Sequence, residues 1–112
     1  MILSHYKPPR KDPKVDRDYQ AFIRRQPCVV CQIWGLSRRR FGPVECAHVG
    51  ARALGRKCSD RETLPLCVWH HRMSPQSYHA GVKQFFKFWK LDRFELIREY
   101  NRRYDEEKRN AA

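Results

Sequence analysis

The chain has 112 residues, enough for one domain and too few for two. Lys and Arg total 24 against 12 Asp and Glu, a net charge of +12, which exceeds what solubility requires and points to a polyanionic partner, nucleic acid first. Residues 1–10 show no secretory pattern and no apolar run reaches the length of a membrane span. The five cysteines are an odd count, so a secreted disulfide scaffold and a membrane protein are set aside; the chain reads as cytoplasmic, its thiols as reduced or metal-bound.

Residues 1–15 form a basic, Pro-containing arm with Pro8, Pro9 and Pro13 among Lys7, Arg10, Lys11 and Lys14. Residues 16–112 read as one domain. Asp16 can cap a helix to about Gln26, with Tyr19, Phe22 and Ile23 on one face and Pro27 as its stop. Cys28-Val29-Val30-Cys31 then reads as a tight turn. Residues 32–43 form a basic loop around Arg38, Arg39 and Arg40. A short strand is expected over 44–49. A second basic loop follows over 50–60, with Arg52, Arg56 and Lys57. Glu62 to Leu66 suits a second strand, which Pro65 confines to an edge or a strand end. A helix should open near Cys67, and Ser74-Pro75 restarts the chain.

Val82, Phe85, Phe86 and Trp89 recur at helical spacing with Lys83, Lys87 and Lys90 off that face. Asp92 and Glu95 suit a capping box before a last helix to about Arg109, whose stripe is Phe94, Ile97, Tyr100 and Tyr104. Both stripes read as core packing.

Cys28-x2-Cys31 and Cys67-x2-His70, with 35 residues between them, form two hooks suited to one tetrahedral structural Zn2+. Each short turn points two donors at one ion. Cys46 shares a strand face with His48 and reads as a buried thiol rather than a ligand; Cys58 has no assigned role. His48, His71 and His79 remain, with Asp60 and Glu45 nearby in sequence. His71 follows His70 directly, so on a helix it faces about 100° away from it, toward the strand of His48. These residue types suit phosphodiester hydrolysis. An imidazole, His48, can deprotonate water near neutral pH. His71, with Asp60 or His79, can hold Mg2+ or Mn2+. Arg72 and the loop arginines can hold phosphates.

The motifs C-V-V-C, E-C-A-H-V and S-D-R-E-T-L-P-L-C-V-W-H-H resemble the HNH nucleases of the ββα-metal fold. The stretches G-R-K-C-S-D, P-L-C-V-W-H-H and Y-H-A-G are most similar to the phage and prophage branch that includes the RecA-dependent recombination-enhancement (Ref-like) nucleases. The resemblance covers about residues 28–90. It implies an α+β fold: a zinc-stapled ββα-metal core, an N-terminal helix and two C-terminal helices. It also implies that His48 is the general base, that Cys67 and His70 complete the zinc site, and that His71 binds the catalytic cation. Asp60 falls where the family's central Asn often sits, and His79 matches a later cation ligand of this branch. Ala47 stands where many members place a ligand. The only asparagines, Asn101 and Asn110, lie in the final helix.

The leading expectation is a metal-dependent DNA endonuclease or nickase. Its partners would be DNA and, by the resemblance, a recombinase filament or another phage protein. The runner-up is a non-catalytic zinc-stapled DNA-binding module, and the third reading a structural prophage protein. Sequence preference, nicking against double-strand cutting and oligomeric state stay open.

Overall fold

A computed structural model describes residues 15–36, 42–50 and 58–111. Residues 1–14 of the arm, and the loop cations Arg38, Arg39, Arg40, Arg52, Arg56 and Lys57, lie outside these residues. The described chain is α+β: a two-stranded antiparallel sheet with four helices around it.

Helix α1 spans Arg17–Arg24. Asp16 caps it, its carboxylate accepting the Tyr19 N–H at 3.1 Å. Tyr19, Phe22 and Ile23 are buried on one face. Helix α2, Val29–Trp34, stands where the sequence suggested only a tight turn. A one-turn hook and the start of a short helix share the same residue spacing, and the apolar pair Val29 and Val30, both buried, draws the segment into the core. Gly35 ends α2 in the left-handed region at φ 65°, a conformation that glycine adopts without strain.

Strand β1, Val44–His48, pairs with β2, Thr63–Cys67, in the register Val44 to Cys67 and His48 to Thr63. Every residue of β2 is buried. Pro65 sits inside this strand without breaking it. The Val49 N–H donates to the Glu62 carbonyl and the Val68 N–H to the Pro43 carbonyl. Alternation along the ladder therefore puts Cys46 and Pro65 in a non-hydrogen-bonded pair, where no N–H is required.

The chain leaves β2 through a π-helical turn, Trp69–Met73, closed by the Ser74 N–H on the Trp69 carbonyl. Helix α3 spans Val82–Phe88 and α4 spans Arg93–Ala111. Asp92 accepts the Glu95 N–H, as the sequence suggested. Of the expected α4 stripe, Ile97, Tyr100 and Tyr104 are buried, but Phe94 is 48% exposed. Phe94 lies in the first turn, where the Arg93 guanidinium covers its ring. Tyr104 stacks edge-on against Tyr19 and Phe22, so α1 and α4 share one aromatic cluster. Each such buried ring contributes about 2 kcal/mol by removing apolar area from water. Among the described residues no helix is long and apolar enough to cross a membrane.

Candidate functional site

Two hooks meet beneath the sheet. Cys28 precedes α2 and Cys31 lies in its first turn, while Cys67 ends β2 and His70 lies in the π-helical turn. The four donor atoms lie within 4.8 Å of one another and all four residues are buried. His70 Nδ1 stands 3.7 Å from Cys28 Sγ, 3.6 Å from Cys31 Sγ and 3.2 Å from Cys67 Sγ; the Cys31 and Cys67 sulfurs are 4.0 Å apart. A tetrahedral ion with ~2.3 Å arms has edges of about 3.8 Å, so the donor set fits one Zn2+ and is a potential metal site. No disulfide joins these cysteines. Four such groups cannot ionise alike at this spacing. A hydrogen bond from Cys67, reinforced by His70, pulls the Cys28 thiol down to about 4, and donating that bond pushes Cys67 up. A cation at the centre would remove this conflict by holding all three sulfurs as thiolates.

The remaining histidines form two separate pairs. His48, at the end of β1, has Nε2 2.7 Å from Asp60 Oδ1. Asp60 opens a short 3-10 turn, Asp60–Glu62, and is 4% exposed. Its other oxygen accepts the Asp16 N–H at 2.8 Å and the Gln20 amide at 2.6 Å. Burial works against the charged carboxyl, but the Asp16 N–H, Gln20 and His48 outweigh it and hold Asp60 below the usual carboxylate range. The carboxylate thus keeps a proton on Nε2 and leaves Nδ1 as the basic nitrogen, which has no partner among the described residues.

His71 Nδ1 meets Glu45 Oε1 at 2.7 Å, on the strand that carries His48. Arg72 grips the same carboxylate through Nε at 3.1 Å and Nη2 at 2.9 Å. This fork, helped by His71, holds Glu45 down to about 2. Burial lowers His71, against the pull of Glu45, so its imidazole stays neutral near pH 7. The segment after the π-helical turn folds back: the Tyr78 N–H binds the His70 carbonyl and the His79 N–H the His71 carbonyl. That return sets the His79 ring edge-on to His71, 4.7 Å between centroids.

The structure therefore brings His48 to Asp60 and His71 to His79, with no hydrogen bond or ring contact joining the two pairs among the described residues. Glu45 and His48 lie three residues apart on β1, about 10 Å along the strand and on opposite faces. Arg72 is engaged by Glu45, while its guanidinium remains half exposed. Ala47 is fully buried and offers no ligand. Cys46, expected to be buried, is only half-buried, its thiol donating to the Gln20 carbonyl at 3.4 Å, because α1 covers this face of β1 incompletely. Cys58 is buried, its thiol toward the Glu62 carbonyl at 3.7 Å.

Residues 13–109 match the model of a family described as recombination enhancement, RecA-dependent nuclease. The chain belongs to this family. No curated protein and no solved structure matches it. The name of the RecA-dependent nuclease family suggests nuclease activity linked to recombination. The match extends past the motif-bearing stretch into both ends, taking in α1, which holds Asp60, and α4.

Three residues that frame these pairs escaped the sequence reading. Gln20 is a surface-like position on a helix, and nothing in its spacing signals a buried carboxylate 40 residues on. Glu45 meets His71 from β1, 26 positions earlier, a pairing that no local spacing signals. Arg61 lies over both Tyr19 and Tyr104, its ring-plane centroids 4.9 and 4.8 Å away, and donates to Asp16 and Asn101. It fastens the Asp60 turn to α1 and α4.

Proposed function

We propose that this chain is a metal-dependent DNA endonuclease or nickase of the HNH, ββα-metal type, stapled by a structural Zn2+ on Cys28, Cys31, Cys67 and His70. The reading rests on one observation above the others: two imidazoles, His48 and His71, each have one nitrogen fixed by a carboxylate, Asp60 and Glu45. That arrangement sets the tautomer and presents the second nitrogen as a base or a ligand.

His48 is the general base. Asp60 holds its Nε2–H, so Nδ1 can take a proton from water as the water attacks phosphorus, and the carboxylate stabilises the imidazolium that forms. His71 and His79 are the cation ligands, with Glu45 orienting His71. A bound divalent cation supplies charge stabilisation for the phosphate oxygens and the leaving oxygen. Two imidazole nitrogen donors suit Mn2+ better than Mg2+, which prefers an all-oxygen shell. Arg72 steadies Glu45 and keeps donors for a phosphate. Arg38, Arg39, Arg40, Arg52, Arg56 and Lys57, which flank the strand of His48 in sequence, supply phosphate contacts. DNA is the substrate and a recombinase filament the partner that presents it.

The test is cleavage of supercoiled plasmid with Mn2+ or Mg2+ by the purified chain beside His48→Ala. Wild-type cleavage, lost in His48→Ala with DNA binding retained, supports the reading. Equal cleavage by both removes His48 from its role. A second reading, a non-catalytic zinc-stapled DNA-binding module, is favoured by one fact: among the described residues, Cys28, Cys31, Cys67 and His70 are the one group of three or more His, Cys or carboxylate donors placed to hold a metal. Binding without cleavage under any divalent cation would decide for it.

A further inference from the structure

The stretch over residues 63–91 contains no Asp or Glu, yet carries Arg72, Lys83, Lys87 and Lys90. Arg72 pairs with Glu45, and outside the stretch Arg102 and Arg103 pair with Glu99, Arg25 with Glu107, and Arg61 with Asp16. Lys83, Lys87 and Lys90 are exposed and make no ion pair among the described residues. Beside them the surface is aromatic. Phe88 is 54% and Trp34 45% exposed. Both rings lean edge-on against Trp89, at 4.8 and 6.1 Å between centroids. The Trp34 indole N–H donates to the Trp89 carbonyl and the Trp89 N–H to the Gln76 carbonyl, both at 3.0 Å, so these indoles are held in fixed orientations. Phe88 and Lys87 also line an open groove of about 630 Å³ with the amides of Gln76 and Gln84.

We infer that the Trp34, Phe88 and Trp89 cluster, with Lys83, Lys87 and Lys90, is a binding surface for single-stranded DNA, separate from the histidine pairs. Fixed, half-exposed rings offer faces on which unpaired bases stack, and unanswered ammonium groups neutralise the phosphates between them. A duplex keeps its base faces stacked internally and offers only phosphates to such a surface. The groove amides can meet the edges of an unstacked base. The choice of DNA rests on the nuclease reading; the stacking surface itself does not.

Binding of fluorescein-labelled oligo-dT 20-mer and of a 20-base-pair duplex is measured with the full zinc-loaded chain, without added Mg2+ or Mn2+, so that cleavage plays no part. Circular dichroism and zinc content verify each variant. The single strand should quench indole fluorescence, and Phe88→Ala should weaken its binding about tenfold while changing duplex binding less than twofold. Lys83→Glu, Lys87→Glu and Lys90→Glu together should lower the single-strand salt slope by about 2. Equal losses for strand and duplex, or none in Phe88→Ala and the triple variant, would overturn the inference. Displacement of oligo-dT by polyglutamate at equal charge concentration, with the same quenching, would also overturn it and assign the surface to an acidic protein segment. Plasmid cleavage with these outcomes would leave the nuclease reading intact, and normal strand binding without plasmid cleavage would remove only that reading.

Discussion

The chain uses histidine in two environments, and the contrast separates what holds the molecule from what can act. His70 is 1% exposed and its Nδ1 faces three sulfurs; the donor set is closed. The His48 and His71 side chains remain 21% and 13% exposed, and each gives one nitrogen to a carboxylate and keeps the other. A closed set of four protein donors leaves no position for a reactant, whereas an imidazole fixed at one nitrogen is ready for a proton or a cation at the other. His70 and His71 are adjacent in sequence, so a single π-helical turn divides the two roles.

The comparison breaks most sharply at the closed cluster. Cys67→Ser should abolish the cooperative thermal transition and the bound zinc together, because structural zinc contributes ~10–16 kcal/mol of apparent binding energy to small folds. Calorimetry with metal analysis checks this, and a normal transition would show that the cluster is dispensable. His48→Ala should instead leave the melting temperature within a few degrees while lowering plasmid cleavage by ~10²–10⁴-fold. Glu45→Gln should weaken Mn2+ activation by ~10- to 100-fold through His71 and leave zinc content unchanged, read from the metal dependence of cleavage.

Asp60 gives the pH-dependent test. Its carboxyl is held below the ordinary carboxylate range, so the folded state favours the ionised form. The associated stability is fully present above the unfolded pKa of ~3.9 and is lost as pH falls through the lower folded value. Acid denaturation of the wild type should therefore steepen below about pH 4. Asp60→Asn should start less stable at pH 7 and show a shallower acid limb, measured by urea unfolding at several pH values. The smallest effect belongs to the open surface. Arg102→Ala removes pairs with Glu99 and Glu106 that solvent screens, and its melting temperature should match the wild type.

Much of the frame was readable from local chemistry. Asp16 and Asp92 announced two helix starts, and the buried triad Tyr19, Phe22 and Ile23 carried its helical period. The paired hooks led directly to the four-donor cluster, because ligand spacing within a hook is a local property. The backing of the histidines was not readable in the same way. Asp60 reaches Asp16 and Gln20 across 44 and 40 positions of chain, and no periodicity encodes such a meeting. The turn after Cys67 also differs in kind from what its sequence suggests. An ordinary helix was expected, but residues 74–80 fold back to bind the His70 and His71 carbonyls, and that tertiary return accompanies the wider π-helical turn.

Arg61 has a consequence for the order in which the molecule is made. Its guanidinium lies between Tyr19 and Tyr104 and donates to Asn101 and Asp105, residues of α4 about 40 positions later in the chain. During synthesis on the ribosome, the thiol hooks can close once residue 70 has emerged, but the turn bearing Asp60 is fastened only after α4 has left the exit tunnel. A nascent chain can therefore close the four-donor cluster before the turn that bears Asp60 is fastened.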